Sequence, residues 1–243
     1  MTDAKRIALV TGANKGIGLE IARQLAQAGH RVLLGARAPE RGTAAAAGLA
    51  EEGLDVRFVP LDLADPASID AAASWIEAEV GRLDVLVNNA GIAVPGDALP
   101  GSASLEAVRR TFDTNFFGTL AVTQAMLPLL RKSAAGRIVN VSSGLGSLTL
   151  NADPTWDFAA VKPIGYNASK AAMNMMTVQL AAELQDAGIK VNSADPGFTA
   201  TDLNDHRGHQ TAPEGAAAAV RLALLPDDGP TGGFFSAERA EPW

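Results

Sequence analysis

The 243-residue chain contains no cysteine and a single tyrosine, and its aromatic residues make up only 5% of the composition. The missing thiols exclude disulfides, zinc–thiolate centres and cysteine nucleophiles. No apolar run is long enough to span a bilayer. Basic blocks are absent as well. With a net charge of −7, the chain is a poor match for nucleic acid or an anionic membrane surface. Met1-Thr-Asp-Ala-Lys-Arg6 runs directly into a short apolar strand without the pattern of a secretory leader, so a cytoplasmic protein is expected.

What is present is a strict alternation. Short β-rich runs at Arg6–Thr11, Arg31–Ala36, Val56–Leu61, Leu83–Asn88, Arg137–Ser142 and Lys190–Ala194 alternate with helical patterns. The helices are expected over Ile17–Ala28, Glu40–Glu52, Pro66–Val80, Leu105–Leu130 and Tyr166–Ala187, and the alanine-rich 216–219 stretch also reads as helix. Near-continuous apolar strands such as Val85-Leu86-Val87 suit a parallel sheet covered on both faces. The expected fold is therefore α/β: a Rossmann-type doubly wound parallel sheet flanked by helices, in a single domain over 1–243. Two polar stretches interrupt the rhythm, 144–165 and 198–213. Both follow strand ends, where ligands bind in open α/β sheets.

Between the first strand and helix stands Thr11-Gly12-Ala13-Asn14-Lys15-Gly16-Ile17-Gly18. Glycines here permit a tight turn and close backbone approach to a pyrophosphate, and the helix start offers free N–H groups. The loop lacks the Gly-Lys-Ser/Thr ending of a nucleotide-hydrolysing loop. The second strand ends in Ala36-Arg37 with no carboxylate to take a ribose 2′-hydroxyl. Arg37 and Arg41, with Lys15, can instead hold a 2′-phosphate, which favours NADP(H) over NAD(H). Further along, Tyr166 and Lys170 lie one helical turn apart. A phenol ordinarily ionises near pH 10, and a neighbouring ammonium is expected to lower that value and make Tyr166 a better acid.

These residues together resemble the short-chain dehydrogenases/reductases, along essentially the whole chain. The motifs are Thr11-Gly-x-x-x-Gly-x-Gly18, Asp62-Leu63, Asn88-Asn89-Ala90-Gly91, Asn115, Ser142-Ser143, Tyr166-x-x-x-Lys170 and Pro196-Gly197, in this order. Asn14-Lys15-Gly16-Ile17-Gly18, Leu83 to Ile92, Thr114 to Thr119, Gly229-Pro230-x-Gly232 and the final Trp243 look most like NADPH-dependent carbonyl reductases. The resemblance implies a catalytic set of Asn115, Ser143, Tyr166 and Lys170. In it Tyr166 donates a proton, Ser143 binds the carbonyl oxygen and Lys170 also meets the nicotinamide ribose. Asn115, within a long helix, holds a water behind the lysine. Gly12, Asn14, Lys15, Gly16, Ile17 and Gly18 would then cradle the cofactor. Asp62 and Leu63 would meet its adenine, Asn89, Ala90 and Gly91 would line it, and Pro196, Gly197 and Thr199 would face the nicotinamide. No metal is needed.

Activity is thus expected on a small carbonyl or alcohol substrate, as reduction of a ketone, aldehyde or quinone. The alternatives are oxidation of an alcohol, or a non-catalytic NADP(H)-binding sensor. The 198–213 stretch matches the family's mobile substrate loop. Ser143 and Tyr166 stand 23 positions apart, farther than in the family's shorter members. The intervening insert resembles, in shortened form, one that covers the oligomerisation helices of monomeric carbonyl reductases; monomer and homo-oligomer both stay open. Trp156 and Phe158 within it form either a pocket wall or simple packing. His206 and His209 read as surface residues. Of Met173, Met175 and Met176, two are expected in the core and one is free to touch substrate.

Overall fold

In the computed structural model, which describes residues 5–243, seven parallel strands form one sheet in the order β3-β2-β1-β4-β5-β6-β7. The strands are β1 (Ile7–Thr11), β2 (Arg31–Ala36), β3 (Val56–Pro60), β4 (Val85–Asn88), β5 (Arg137–Val141), β6 (Lys190–Ala194) and β7 (Phe234–Phe235). The order reverses between β1 and β4, where Ala8, Leu9 and Val10 pair with Val85, Leu86 and Val87. A doubly wound sheet opens a crevice at the carboxyl ends of such a pair. The expected parallel sheet is therefore present, with β7 added at its edge. That last strand is too short for a pattern of alternation to reveal it.

Strand pleating sorts side chains to the two faces. Ala8, Val10, Val85 and Val87 pack with Ile21, Leu25, Leu49 and Leu222 from helices α1 (Gly16–Gln27), α2 (Pro39–Glu51) and α8 (Ala212–Ala223). Ile7, Leu9 and Leu86 pack on the other face with Ile76, Met126, Met173 and Met176. Those come from α3 (Pro66–Val80), α5 (Thr119–Leu130) and α7 (Ile164–Glu183). Each fully buried aliphatic side chain stabilises the fold by roughly 1.5–3 kcal/mol. The remaining helices are α4 (Leu105–Phe112) and the short α6 (Leu148–Ala152). Met175 is exposed, so two of the three neighbouring methionines are core. No helix among the described residues is long and apolar enough to cross a membrane. Met1–Ala4, on which the leader reading partly rests, lie outside the described residues.

The helix expected over 105–130 is interrupted. Between α4 and α5 the turn at Asp113–Gly118 is π-helical, with Asn115 buried inside it. Such single π turns occur mostly at functional sites. Gly118 ends the turn against the segment after β3, where an added Cβ would stand 2.5 Å from the Leu63 carbonyl oxygen. A periodicity of 3.6 cannot reveal this extra residue.

At the opposite end of the sheet from the crevice, the buried Asp84 carboxylate joins three segments. It accepts from the Ile7 N–H at 2.8 Å, from Arg82 Nε at 3.1 Å and from Ser133 Oγ at 2.6 Å. Removing it strands the Ile7 N–H without its partner. Asp84→Ala is expected to cost about 1–3 kcal/mol, read as a lower urea midpoint at unchanged slope.

Candidate active site

The glycine loop is fixed by side chains rather than by sheet pairing. Thr11 Oγ1 accepts the N–H groups of Asn89 and Ala90, both at 3.0 Å. The Asn89 amide donates to the carbonyls of Thr11 at 2.9 Å and Gly12 at 3.2 Å. Gly12 has φ +63°, and a Cβ there would sit 2.8 Å from Ala90 Cα. At Gly18 a Cβ would collide with the Asn89 amide at 2.3 Å. The glycine loop and the Asn89–Gly91 segment, which the sequence assigns to one cofactor site, thus touch each other.

Helix α1 starts at Gly16 with no side-chain cap and no acidic residue in its first turn. Its first N–H groups and the positive end of its dipole are left to an anion. Arg37 and Arg41 are exposed near the end of β2 and form no ion pair with any described residue. An uncapped helix start and two unpaired guanidiniums fit a phosphorylated dinucleotide. Lys15 differs from the expectation: its ammonium pairs with Asp202 of the 198–213 segment, tying the two loops together. Asp62 is half-buried, and its carboxylate accepts from the Ala64 N–H, shaping the turn after β3.

Helix α7 delivers Tyr166 and Lys170. Its start is capped by Asp97, whose two carboxylate oxygens accept from Gly165 N and Tyr166 N, each at 2.7 Å. The side chain of Ser143, just beyond β5, stands close enough to the Tyr166 hydroxyl to favour its ionised form. Ser143 Oγ also accepts from Leu145 N at 3.2 Å, which holds the serine at the head of a 3₁₀ turn, Gly144–Gly146. Lys170 is buried, stands 5.7 Å from the Tyr166 ring centre and donates to the Val141 carbonyl at 2.7 Å. Asn115 is fully buried. Its Oδ1 accepts from Ile92 N at 2.8 Å, and its Nδ2 donates to Ile92 O at 3.0 Å and Ser169 Oγ at 3.1 Å. The amide therefore pins the segment after β4 to α7. A Cβ placed on Gly91 would lie between Asn115 Oδ1, at 3.5 Å, and Lys170 Nζ, at 3.6 Å.

The electrostatics overturn one expectation. The Tyr166 phenol is pushed up to about 12, by burial first and then by the negative charge of Asp195, with the Ser143 side chain opposing. The Lys170 ammonium does not outweigh these effects. Burial instead pushes the Lys170 ammonium down to about 8. Desolvation disfavours the charged form of both groups, and here it outweighs their mutual benefit. The Asp195 carboxyl is itself raised, again by burial first, against hydrogen bonds from the N–H groups of Gly197 and Gly144.

Beyond β6, Gly197 has φ +66°, and Thr199 is buried, donating to the Pro196 carbonyl at 2.9 Å. A bridge from Thr199 to Gln210 closes the segment into a compact loop. Trp156, Phe158, Phe198 and His209 follow one another edge to face, with centres 5.5 Å, 5.5 Å and 5.9 Å apart. The insert and the 198–213 segment therefore meet through aromatic rings. His206 lies on the surface and pairs with Asp202 at 2.9 Å, and the described residues hold no cluster suited to a metal ion.

Residues 6–212 match the family model described as short chain dehydrogenase. The chain belongs to the short-chain dehydrogenase family. Among relatives of this short-chain dehydrogenase, carbonyl reductase [NADPH] 1 of Mus musculus is 36% identical over 287 positions, covering 100% of both chains. The (+)-neomenthol dehydrogenase of Capsicum annuum is 34% identical, covering 96% of each. Among solved structures, NADPH-bound carbonyl reductase from chicken fatty liver superposes with a TM-score of 0.86 at 29% identity, covering 98% of this chain and 99% of that one.

Two carboxylates of this short-chain dehydrogenase escaped the sequence reading, Asp97 and Asp195. Asp97 lies in an irregular loop with no local signal. Asp195 stands immediately before Pro196-Gly197, so a charged residue beside a motif was the available clue. Because Tyr166 is the sole tyrosine, phenolate absorbance isolates it. In the free protein we expect no phenolate signal below about pH 11 while the fold persists. Asp195→Asn should move the transition to lower pH, since it removes a negative charge that opposes ionisation; a spectrophotometric titration checks both.

Proposed function

We propose that this protein is an NADP(H)-dependent reductase of ketones, aldehydes or quinones, with Tyr166 as its proton donor. The feature that carries this reading is the approach of the Ser143 side chain to Tyr166, whose ring centre lies 5.7 Å from the ammonium of buried Lys170. The glycine loop, the start of α1 and the segment 89–91 would hold the dinucleotide, with Arg37 and Arg41 on its 2′-phosphate and Thr199 near its nicotinamide end. When bound, the cofactor supplies the hydride. Carbonyl reductases named for NADPH, 36% and 37% identical to this chain, support the cofactor assignment.

The protein's own part is proton management. Ser143 offers its hydroxyl to the carbonyl oxygen and aims it at Tyr166. A phenol held near 12 stays protonated at neutral pH, so the donor is loaded before substrate arrives. An alkoxide is a much stronger base than a phenolate, so transfer from Tyr166 to the nascent alkoxide is downhill even from this raised value. Oxidation would need the phenolate to be present first, and burial opposes that; the reductive direction is favoured. Lys170, its ammonium softened to about 8, remains mostly charged near neutrality and stabilises the phenolate left behind. Asn115 fixes the relation of α7 to β4 on which this geometry depends.

NADPH oxidation across a panel of ketones, aldehydes and quinones tests the reading, and inertness across a broad panel would count against it. Tyr166→Phe should bind NADPH normally, by nicotinamide fluorescence, yet lose about 10²–10⁴-fold in kcat. Separately, Arg37→Asp should weaken NADPH binding by tenfold or more while leaving NADH almost untouched, on the order of the charge-assisted contacts it removes. Equal losses for the two cofactors would remove the 2′-phosphate assignment.

A further inference from the structure

Asp195 has no role in the reaction just described, yet it occupies the site. It follows β6 directly, and its N–H donates to the Phe235 carbonyl at 2.8 Å, so β7 fixes its backbone. One oxygen accepts from Gly197 N at 3.0 Å. A Cβ built on Gly144, the neighbour of Ser143, would stand 3.2 Å from the other oxygen and 3.1 Å from the edge of the Trp156 indole. The carboxylate and the edge of the indole therefore meet beside Gly144, next in the chain to Ser143.

No ion pair to a described residue satisfies Asp195. The nearest guanidinium that acts on it, Arg239, is committed to Glu241 at 3.0 Å. A carboxylate taken from water without a cation is costly to keep. It also opposes ionisation of Tyr166, an effect that leaves its own charge without a partner. A cation that reaches the carboxylate would complete it, with an aromatic ring alongside.

We propose that Asp195 determines specificity, its carboxylate receiving a protonated amine carried a few bonds from the substrate carbonyl while Trp156 covers the cation. The preferred substrates are then aminoketones or aminoaldehydes. The inference rests on the reductase reading for its carbonyl end, and on Asp195, Gly144 and Trp156 for the ammonium. The chain's net charge of −7 attracts such cations at longer range.

Phenacylamine and propiophenone form a matched pair, an ammonium in the first replacing a methyl in the second. The ammonium activates its ketone intrinsically, so the informative quantity is the ratio of kcat/KM values compared between proteins. Asp195→Asn should lower the phenacylamine-to-propiophenone ratio by about tenfold or more relative to the wild type; an unchanged or raised ratio overturns the proposal. Calorimetry gives a readout without turnover. The wild type should bind 2-amino-1-phenylethanol more tightly than 1-phenylpropan-1-ol. Equal or weaker binding of the amine overturns the proposal even if Asp195→Asn does not fold. Should the wild type reduce neither these ketones nor any member of the broader panel, the reductase reading fails while calorimetry still decides the anchor.

Discussion

Two side chains, Thr11 and Asn89, hold the strand-order reversal together, and the site depends on them. Beyond Thr11 and Asn88 the paired strands end, and their loops must diverge around a crevice. The glycine loop turns through a left-handed residue at Gly12 and has little ladder pairing of its own. Thr11 Oγ1 and the Asn89 amide supply the missing bonds in both directions, while Ala13 N donates back to Gly35 on β2 at 3.0 Å. Clamped between β2 and β4, the loop fixes where α1 begins. The free N–H groups at that start, and the small residues that let Ala90 approach Gly12, are consequences of the same clamp.

Competition between burial and charge governs the other side of the crevice. The spacing of Tyr166 and Lys170 reads as a simple pair in which the ammonium assists the phenol. In the folded chain Lys170 is buried and Tyr166 half-buried, and desolvation penalises each one's charged form. Lys170 directs a hydrogen bond at the Val141 carbonyl, and a carboxylate from β6 adds its field against the phenolate. The outcome is a firmly protonated phenol and a softened ammonium, and it follows from three-dimensional neighbours that no local motif contains.

This marks what a sequence can and cannot convey. The alternation of strands and helices was legible because a covered parallel sheet demands continuous apolar runs, and β2, β6 and α3 have the expected bounds. Glycines at 12 and 18, the lack of a carboxylate after β2, and the Tyr–Lys spacing were legible because each encodes a local geometric demand. The π turn around Asn115 was not, since one inserted residue leaves the apolar pattern almost intact. Nor were Asp97, which caps α7 from far away in the chain, the diversion of Lys15 to Asp202, and the reach of Asp195 towards Tyr166. All of these depend on contacts between segments whose meeting only the fold determines.

The 198–213 segment shows how such contacts set a loop's position. Internally it is dense: Ala200 N donates to Gln210 O at 2.9 Å, Asn204 bonds Thr199 and Thr201, and His206 N reaches Thr201 O at 2.9 Å. Asp205 and His206 both occupy the left-handed region, which those bonds hold in place. Externally it rests on the exposed Lys15–Asp202 pair, which water and salt weaken, and on Phe198 packed against Phe158, an aromatic contact of about 0.5–1.5 kcal/mol. Buried Thr199, packed against Gly215 of α8, anchors the segment's start, so its position follows from the helix as well as from its own bonds.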